Sequence, residues 1–478
     1  MNNSYEITIG LEIHAQLLTH SKAFCFAPSE FAATENTMVG PVSAGLPGAL
    51  PVLNLRAVEL AVRAGHCLNC TINSKSVFSR KNYFYPDLPK GYQISQFDLP
   101  LCSNGWIEIE FGQNQKKRIN IERIHMEEDA GKSTHFGSNS LLNLNRSGVP
   151  LIEIVTKPEI TSSEEAVAFM KKVHSILTFA KVSDGNMEEG NFRCDVNLSV
   201  KPVGEKILGT RTEIKNINSF RFAEKAIAYE ASRQIALIQN GQRVIQETRG
   251  WDAALDKTFS QRSKEEAHDY RYFPDPDLPP LVLTPHFIEQ IIKDTPELPE
   301  AKKNRLAAKY RLSEYDASLL TSSSEVANYF EECISQGAPA KPAANWILGD
   351  LFSHLKLREE LSIERSPIAP KALAELISLI ETKVISGKIA KTVFSEMFNS
   401  GETASRIVKA KRLSQVSDSS QIQNWVNEVL QKNPEVVTQF QQGQSKVFAF
   451  LVGQVMKLSQ GKADPEQVSV LLKKGIAP

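Results

Sequence analysis

Apolar and polar residues alternate strictly from residue 7 to residue 14, where Ile7, Ile9, Leu11 and Ile13 are interleaved with Thr8, Gly10, Glu12 and His14. A repeat of two is that of a β-strand, which sends successive side chains to opposite faces. The segment therefore predicts a strand with its apolar set on a core and Glu12 and His14 side by side on the other face. NFRCDVNLSV repeats the pattern, with Cys194, Val196, Leu198 and Val200 set against Arg193, Asp195, Asn197 and Ser199. In GTRTEIKN, Arg211, Glu213 and Lys215 alternate in the same way. VPLIEIVT departs from it, being apolar on both faces apart from Glu153 and the terminal Thr156. In NSFRFAEKAIAYEASRQIALIQNG the repeat lengthens to that of an amphipathic helix, with Ser219 placed to cap it and Asn240–Gly241 to end it.

Over the first 280 or so residues such short segments are punctuated by Gly, Pro and Asn. PDPDLPP at 274–280 is stiff and extended, and reads as a domain edge. Beyond it, ELPEAKKNRLAAKYRL, SSEVANYFEECISQ, AANWILGDLFSHLKL and PKALAELISLIETKVI space their apolar residues by three and four, as helices do. A Gln- and Ser-rich stretch around 413–422 marks a second break. The prediction is an α+β chain, with a mixed, β-rich domain over 1–292, a helical domain over 293–408 and a small helical tail domain over 409–478.

Composition narrows the class. With 478 residues, 41% hydrophobic and 23% charged, the chain has material for more than one core and no bias toward disorder. Lys plus Arg and Asp plus Glu each number 55, so net charge gives no support to a nucleic-acid partner. Residues 405–478 carry ten basic and five acidic side chains, which suits a polyanion and equally suits a solvated helical face. Six cysteines in so long a chain do not make a disulfide framework, and the lone C-x-x-C at Cys67 and Cys70 lacks the second pair a zinc site needs. The start, MNNSYEITIGLEIH, lacks the basic and apolar regions of a signal peptide, and no stretch approaches the roughly 18 apolar residues of a membrane span. A cytoplasmic chain without a membrane partner is expected.

Candidate chemistry starts from Glu12 and His14. A carboxylate and an imidazole together on a rigid strand suit a divalent cation or an acid–base pair, while a solvated polar face would show the same pattern. Glu153 tips this balance, because an ionised carboxylate in an apolar strand needs a partner; a cation and an ion pair with an Arg such as Arg146 both answer it. HMEEDAGKST adds Glu127, Glu128 and Asp129, whose mutual repulsion favours a nearby cation. Its GKST is not a phosphate-binding loop, since the glycine required five residues before Gly131 is Met126. Arg193, Arg211 and Lys215 are candidate phosphate partners. RKNYFYPDLPKGYQISQ (80–96) and AHDYRYFPDPDLPP (267–280) interleave aromatics with cations, which suits stacking on RNA bases or plain packing.

In chain order GLEIHAQL, RKNYFYPDLPKGYQISQ, MEEDAGKS, NRSGVPLIEIVT, MEEGNFRCDVN, TEIKNINSFRFAEKAI, QETRGWD and HDYRYFPDPDLPPL closely resemble the B subunits of the aspartyl/glutamyl-tRNA(Asn/Gln) amidotransferases, the GatB family. The likeness runs nearly unbroken through the first 280 residues and is less distinctive in the helical half. It implies a cradle-like catalytic domain that uses ATP to phosphorylate the side-chain carboxylate of Glu-tRNA(Gln) or Asp-tRNA(Asn), then exchanges phosphate for ammonia. It also implies two protein partners, the amidase (glutaminase) that releases the ammonia and a small third component, with the helical tail contacting tRNA. The family's Mg²⁺ ligands fall on Glu12, His14, Glu128 and Glu153.

One departure stands out. Many relatives carry a four-cysteine zinc knuckle whose positions here are Cys25, Ala27, Gly40 and Ser43, and one thiolate cannot hold structural zinc. No zinc is expected. A glutaminase nucleophile at Cys25, with His14 or His20 as base, is disfavoured because the resemblance assigns that step to the partner. The competing class is a non-catalytic tRNA-binding scaffold, which has no need of a carboxylate inside VPLIEIVT; a metal-dependent hydrolase would need neither the basic tail nor the RNA-facing aromatics.

Overall fold

The computed structural model describes residues 4–476 apart from 32–33, 114, 264–269, 359–361 and 415–418. Two of the segments singled out above, 267–280 and 413–422, thus lie partly outside the described residues. The chain divides into two compact units, Met1–Pro299 and Glu300–Pro478.

Along the first unit run β1 (Tyr5–Gln16), β2 (Thr71–Ile72), β3 (Lys75–Ser76), β4 (Phe78–Asn82), β5 (Tyr92–Gln96), β6 (Cys102–Phe111), β7 (Gln115–Glu128), β8 (Lys132–Phe136), β9 (Asn139–Asn143) and β10 (Pro150–Thr156). They are followed by β11 (Phe192–Pro202), β12 (Thr212–Lys215), β13 (Glu247–Asp252), β14 (Lys257–Ser263), β15 (Phe273–Pro274) and β16 (Leu281–Val282). Nine of these form one sheet in the order β14-β13-β12-β11-β1-β10-β7-β6-β2. All its pairings are antiparallel except β12 with β13. The strand predicted at 7–14 is central, flanked by the two other alternating or apolar segments, β11 and β10.

The alternation decides what each face does. Ile9, Leu11 and Ile13 are wholly buried, in one cluster with Ile152, Ile154, Val196 and Leu198 from the neighbouring strands. The helices α1 (Leu55–Cys67), α2 (Ser163–Phe179) and α3 (Phe220–Gln239) pack onto that core through residues such as Leu60, Phe169 and Ala226. Asn54, Ser162 and Ser219 cap these helices through side-chain oxygens that accept from backbone N–H groups, and α3 ends at Asn240 with Gly241 in the left-handed region, as predicted. The opposite face keeps the polar half of each strand and carries no helix of this core.

PDPDLPP lies inside the first unit. Its Asp275 N–H donates to the Phe78 carbonyl, Asp275 and Asp277 hold Arg80, and Leu278 is buried in the core, ahead of a further helix, α4 (Pro285–Lys293). Proline removes donors, yet a short extended edge strand such as β15 tolerates it. GKST, refused as a phosphate loop, leads into β8 of a two-stranded hairpin rather than a helix.

The elements described for the second unit are all helices, from Pro299–Tyr310 to Pro465–Ile476. It holds two separate apolar clusters, one spanning Leu306 to Val408 and the other Ile422 to Ile476. No helix among the described residues is long and apolar enough to cross a membrane.

Beneath β12–β14, the fully buried Glu230 of α3 accepts from Arg233, Thr212, Gln234 and Thr258, and lies 3.3 Å from Arg249. Removing one member of a buried pair strands the others' charge. Glu230→Ala should destabilise the first unit by about 3–5 kcal/mol, and thermal unfolding of the purified chain measures it.

Candidate metal centre between two cavities

Strand register places the polar residues in rows. Arg193, His14, Glu153 and His125 face one another across β11, β1, β10 and β7, and in the next row Asp195 stands opposite Glu12. On the other side Glu127 lies opposite Leu151, diagonal to Glu153. Asn197 opposite Glu213 extends the same face to β12. Side chains opposed or diagonal in an antiparallel sheet reach each other, so these groups converge without any loop to bring them together.

They form two adjoining clusters. His14 Nε2 lies 3.3 Å from Glu153 Oε2 and 3.6 Å from Glu127 Oε1. His125 Nε2 lies 3.3 Å from Glu153 Oε2 and 3.8 Å from Glu127 Oε2. One donor atom each from His14, Glu127 and Glu153 falls within 4.8 Å of the others, and the same holds for Glu12, Asp195 and Glu213. Lys215 Nζ bridges Asp195 (2.6 Å) and Glu213 (3.0 Å), and Asn197 donates to Glu12.

Protonation follows from crowding. Burial would push the His125 imidazole down, but Glu153 and Glu127 raise it to about 9. Burial works against the charged form of His14 too, and Glu153 with Glu127 outweighs it, so His14 is raised. Glu153 is held well below the ordinary carboxylate range by His125 and His14, against its burial. Glu12 is raised, by burial first and then by Glu153, Asp195 and Glu213, against the lowering effect of Lys215.

Of the ligands expected from sequence, Glu12, His14 and Glu153 share this face, and Glu128 does not. A step of one residue along a strand reverses the side chain. Glu127 therefore enters the cluster, while the Glu128 carboxylate is buried on the other side, against Lys90 and the Ile94 N–H. Arg146, the ion-pair alternative for Glu153, instead pairs with Asp129 at 3.5 Å and donates to the Ala130 and Gly131 carbonyls. Arg193 also binds Asp129, at 3.1 Å. His125 was missed, although Arg123, His125 and Glu127 alternate with Ile124 and Met126 in the sequence and carry the same signal as Glu12 and His14.

Two cavities flank the clusters. The larger, about 1070 Å³, is lined by His14, Glu127, Asp129, Arg146 and Arg193 among others. The smaller, about 430 Å³, takes in Glu12, His125, Glu153, Arg211, Tyr270 and Tyr272. The two aromatic segments meet here, with β15 pairing β4, the Phe97 and Tyr272 rings stacked at 4.2 Å and Tyr83 edge-on to Tyr270. Away from the cavities, three of the four knuckle positions converge. A Cβ on Gly40 would stand 2.7 Å from the Cys25 sulfur and 3.2 Å from the Ala27 methyl.

A sheet whose polar face gathers acids and imidazoles between two cavities is the frame of a catalytic domain, and residues 7–289 match the GatB/GatE catalytic domain profile. Residues 328–476 match the GatB domain profile. The chain is 52% identical over 476 residues to the B subunit of the aspartyl/glutamyl-tRNA(Asn/Gln) amidotransferase from Geobacter sulfurreducens, covering 98% of this chain and 99% of that one. The B subunit of the same name from Caldicellulosiruptor saccharolyticus is 53% identical over 473 residues (98% of each chain), and that from Nitrosococcus oceani 51% over 476 (99% and 100%). The chain belongs to the GatB family.

Glu128 and Glu127 should separate by stability. Glu128→Gln leaves Lys90 buried and unpaired and should cost about 3–5 kcal/mol, whereas Glu127→Gln leaves both imidazoles beside Glu153 and should lower the thermal melt clearly less. Nearby Lys22 is fully buried, donates to the Ser147 carbonyl at 2.5 Å, and is pushed by burial from 10.5 down to about 8. The unfolded chain thus binds the extra proton between pH 8 and 10.5, so this group makes stability rise with pH across that window. Urea unfolding at pH 7.5 and 10 should show that rise diminished in Lys22→Met relative to the parent.

Proposed function

We propose that this chain is the component of a tRNA-dependent amidotransferase at which the new amide is made, converting Glu-tRNA(Gln), Asp-tRNA(Asn) or both to Gln-tRNA(Gln) and Asn-tRNA(Asn). It works in the cytoplasm with two partners of the same complex, the amidase (glutaminase), which releases ammonia from glutamine, and the small third component. The observation that carries this reading is the convergence of His14, Glu127, Glu153 and Glu12 on one strand-built face at the boundary of two cavities.

A carboxylate is a poor electrophile, so the reaction needs an activated acyl group. The substrate's side-chain carboxylate oxygen attacks the terminal phosphorus of ATP, the bond to the β,γ-bridging oxygen breaks, and ADP leaves. Ammonia nitrogen then attacks the acyl carbon, the carbon–oxygen bond to phosphate breaks, phosphate leaves, and the nitrogen sheds one proton.

His14, Glu127 and Glu153 fit a divalent cation, with Glu12, Asp195 and Glu213 as a second acidic set beside them. Such an ion, Mg²⁺ in this reading, screens the triphosphate and the charge developing in transfer. Two oxygens suit Mg²⁺, and the His14 nitrogen makes Mn²⁺ a natural substitute. The chain's own groups fix the geometry, with the Glu127 and Glu153 carboxylates aimed by His125 and Glu12 oriented by Asn197. Arg193 and Lys215 are committed to Asp129 and to Asp195 with Glu213, which leaves Arg211 at the rim of the smaller cavity as the more available cation for phosphate. The helical tail, with its basic excess, takes the body of the tRNA.

Given Glu-tRNA(Gln), ATP, Mg²⁺ and ammonium chloride, the complex with its partners should form Gln-tRNA(Gln), and Glu127→Gln or Glu12→Gln should slow this by roughly 100-fold or more. Full activity in both variants would remove the metal assignment, and an inactive parent complex would leave a tRNA-binding scaffold. No zinc is expected in the Cys25 loop. Near one equivalent of zinc in the purified chain, lost in Cys25→Ala, would overturn that.

A further inference from the structure

Four side chains line both cavities: His14, Lys81, Asp195 and Lys215. His14 belongs to the acid–imidazole cluster, and Lys215 is held by Asp195 and Glu213. Lys81 differs from them. It sits on β4 opposite Gln93, half-buried, with its ammonium 4.9 Å from the Tyr270 ring centre and 6.0 Å from that of Tyr83. Among the described residues no carboxylate oxygen lies within ion-pairing distance of it, yet Glu127, Tyr272 and Glu153 raise its pKa against the effect of burial. It is therefore a charged lysine, steered by two aromatic rings and by two carboxylates it does not touch. Its three N–H donors are unspent.

We infer that Lys81 is a catalytic residue that hydrogen-bonds the phosphoryl group as it passes from ATP to the substrate carboxylate. The inference rests on the proposed function. If nucleotide and aminoacyl end occupy the two cavities, the group exchanged between them must cross the boundary, whichever cavity takes which. Oxygens of that group carry the charge that shifts during transfer, and an ammonium fixed beside the crossing point stabilises it there. A structural role predicts something else, because a cation that only balances Glu127 and Glu153 would act through the fold of the cluster and not on one chemical step.

The test uses the assembled complex with Glu-tRNA(Gln) and ATP. Lys81→Met should slow both substrate-dependent release of ADP and Gln-tRNA formation by roughly 100-fold, with KM for the aminoacyl-tRNA and the Mn²⁺ affinity of the chain within about 3-fold of the parent. Lys81→Cys should be equally slow and should regain activity when alkylated with bromoethylamine, which rebuilds an ammonium at the same reach; identically treated parent enzyme is the control. Retention of ADP release in Lys81→Met would overturn the inference, as would a loss confined to KM or Mn²⁺ affinity, or no recovery in the alkylated Cys variant while it melts like the parent. A parent complex that makes no Gln-tRNA would instead overturn the proposed function, which keeps the two failures apart.

Discussion

The two-residue period of β1, held in register with β10, β7 and β11, is the constraint on which the first unit depends. One parity gives Ile9, Leu11 and Ile13 to a core shared with helices α1 to α4, and the other gives Glu12 and His14 to the polar face. Because neighbouring strands obey the same parity, Glu153, His125, Glu127, Asp195 and Glu213 arrive on that face together. Burial of the apolar set thus fixes the positions of the polar set, and a slip of one residue in any strand would exchange the two.

The acidic face is stable only because cations are built in at matching positions. His14 and His125 share Glu127 and Glu153, Lys215 spans Asp195 and Glu213, and Arg146 with Arg193 neutralises Asp129. Imidazoles beside the first cluster are well suited to exchange with a divalent ion, since either the protons or the metal can balance the same carboxylates. Glu12 has only the Asn197 amide and the nearby Lys215 charge against its burial and the surrounding carboxylates, and its carboxyl is raised. Around Glu230, by contrast, several donors close on one carboxylate.

Position relative to the cavities separates groups that look alike in sequence. Glu127 and Glu128 are neighbours in the chain, yet one faces a cavity and the other seals a contact with Lys90 beneath the face. Lys81 and Lys90 both come from the aromatic-rich segment; Lys90 is spent on Glu128 and Lys81 keeps its donors at the junction of both cavities. Arg193 and Arg211 flank one alternating region and end with one guanidinium bound to Asp129 and the other at the rim of the smaller cavity.

Local rules determined much of this protein. Period-two alternation is enough to define the strands at 7–14 and 193–200, cap residues are enough to bound the helix after Ser219, and an isolated Glu153 in an apolar run is enough to demand a partner. Those effects act over a few residues, so a sequence carries them directly. Which partner Glu153 takes is a different matter. Arg146 and a cation were equal answers until register set His14 and His125 across from it, and register is a property of pairs of strands far apart in the chain. Alternation along β7 already parts Glu127 from Glu128, but that Glu127 meets Glu153 and His14 turned on the register of β7 against β10. Tertiary structure decided these because each depends on where a second, distant segment lies, which no local pattern encodes.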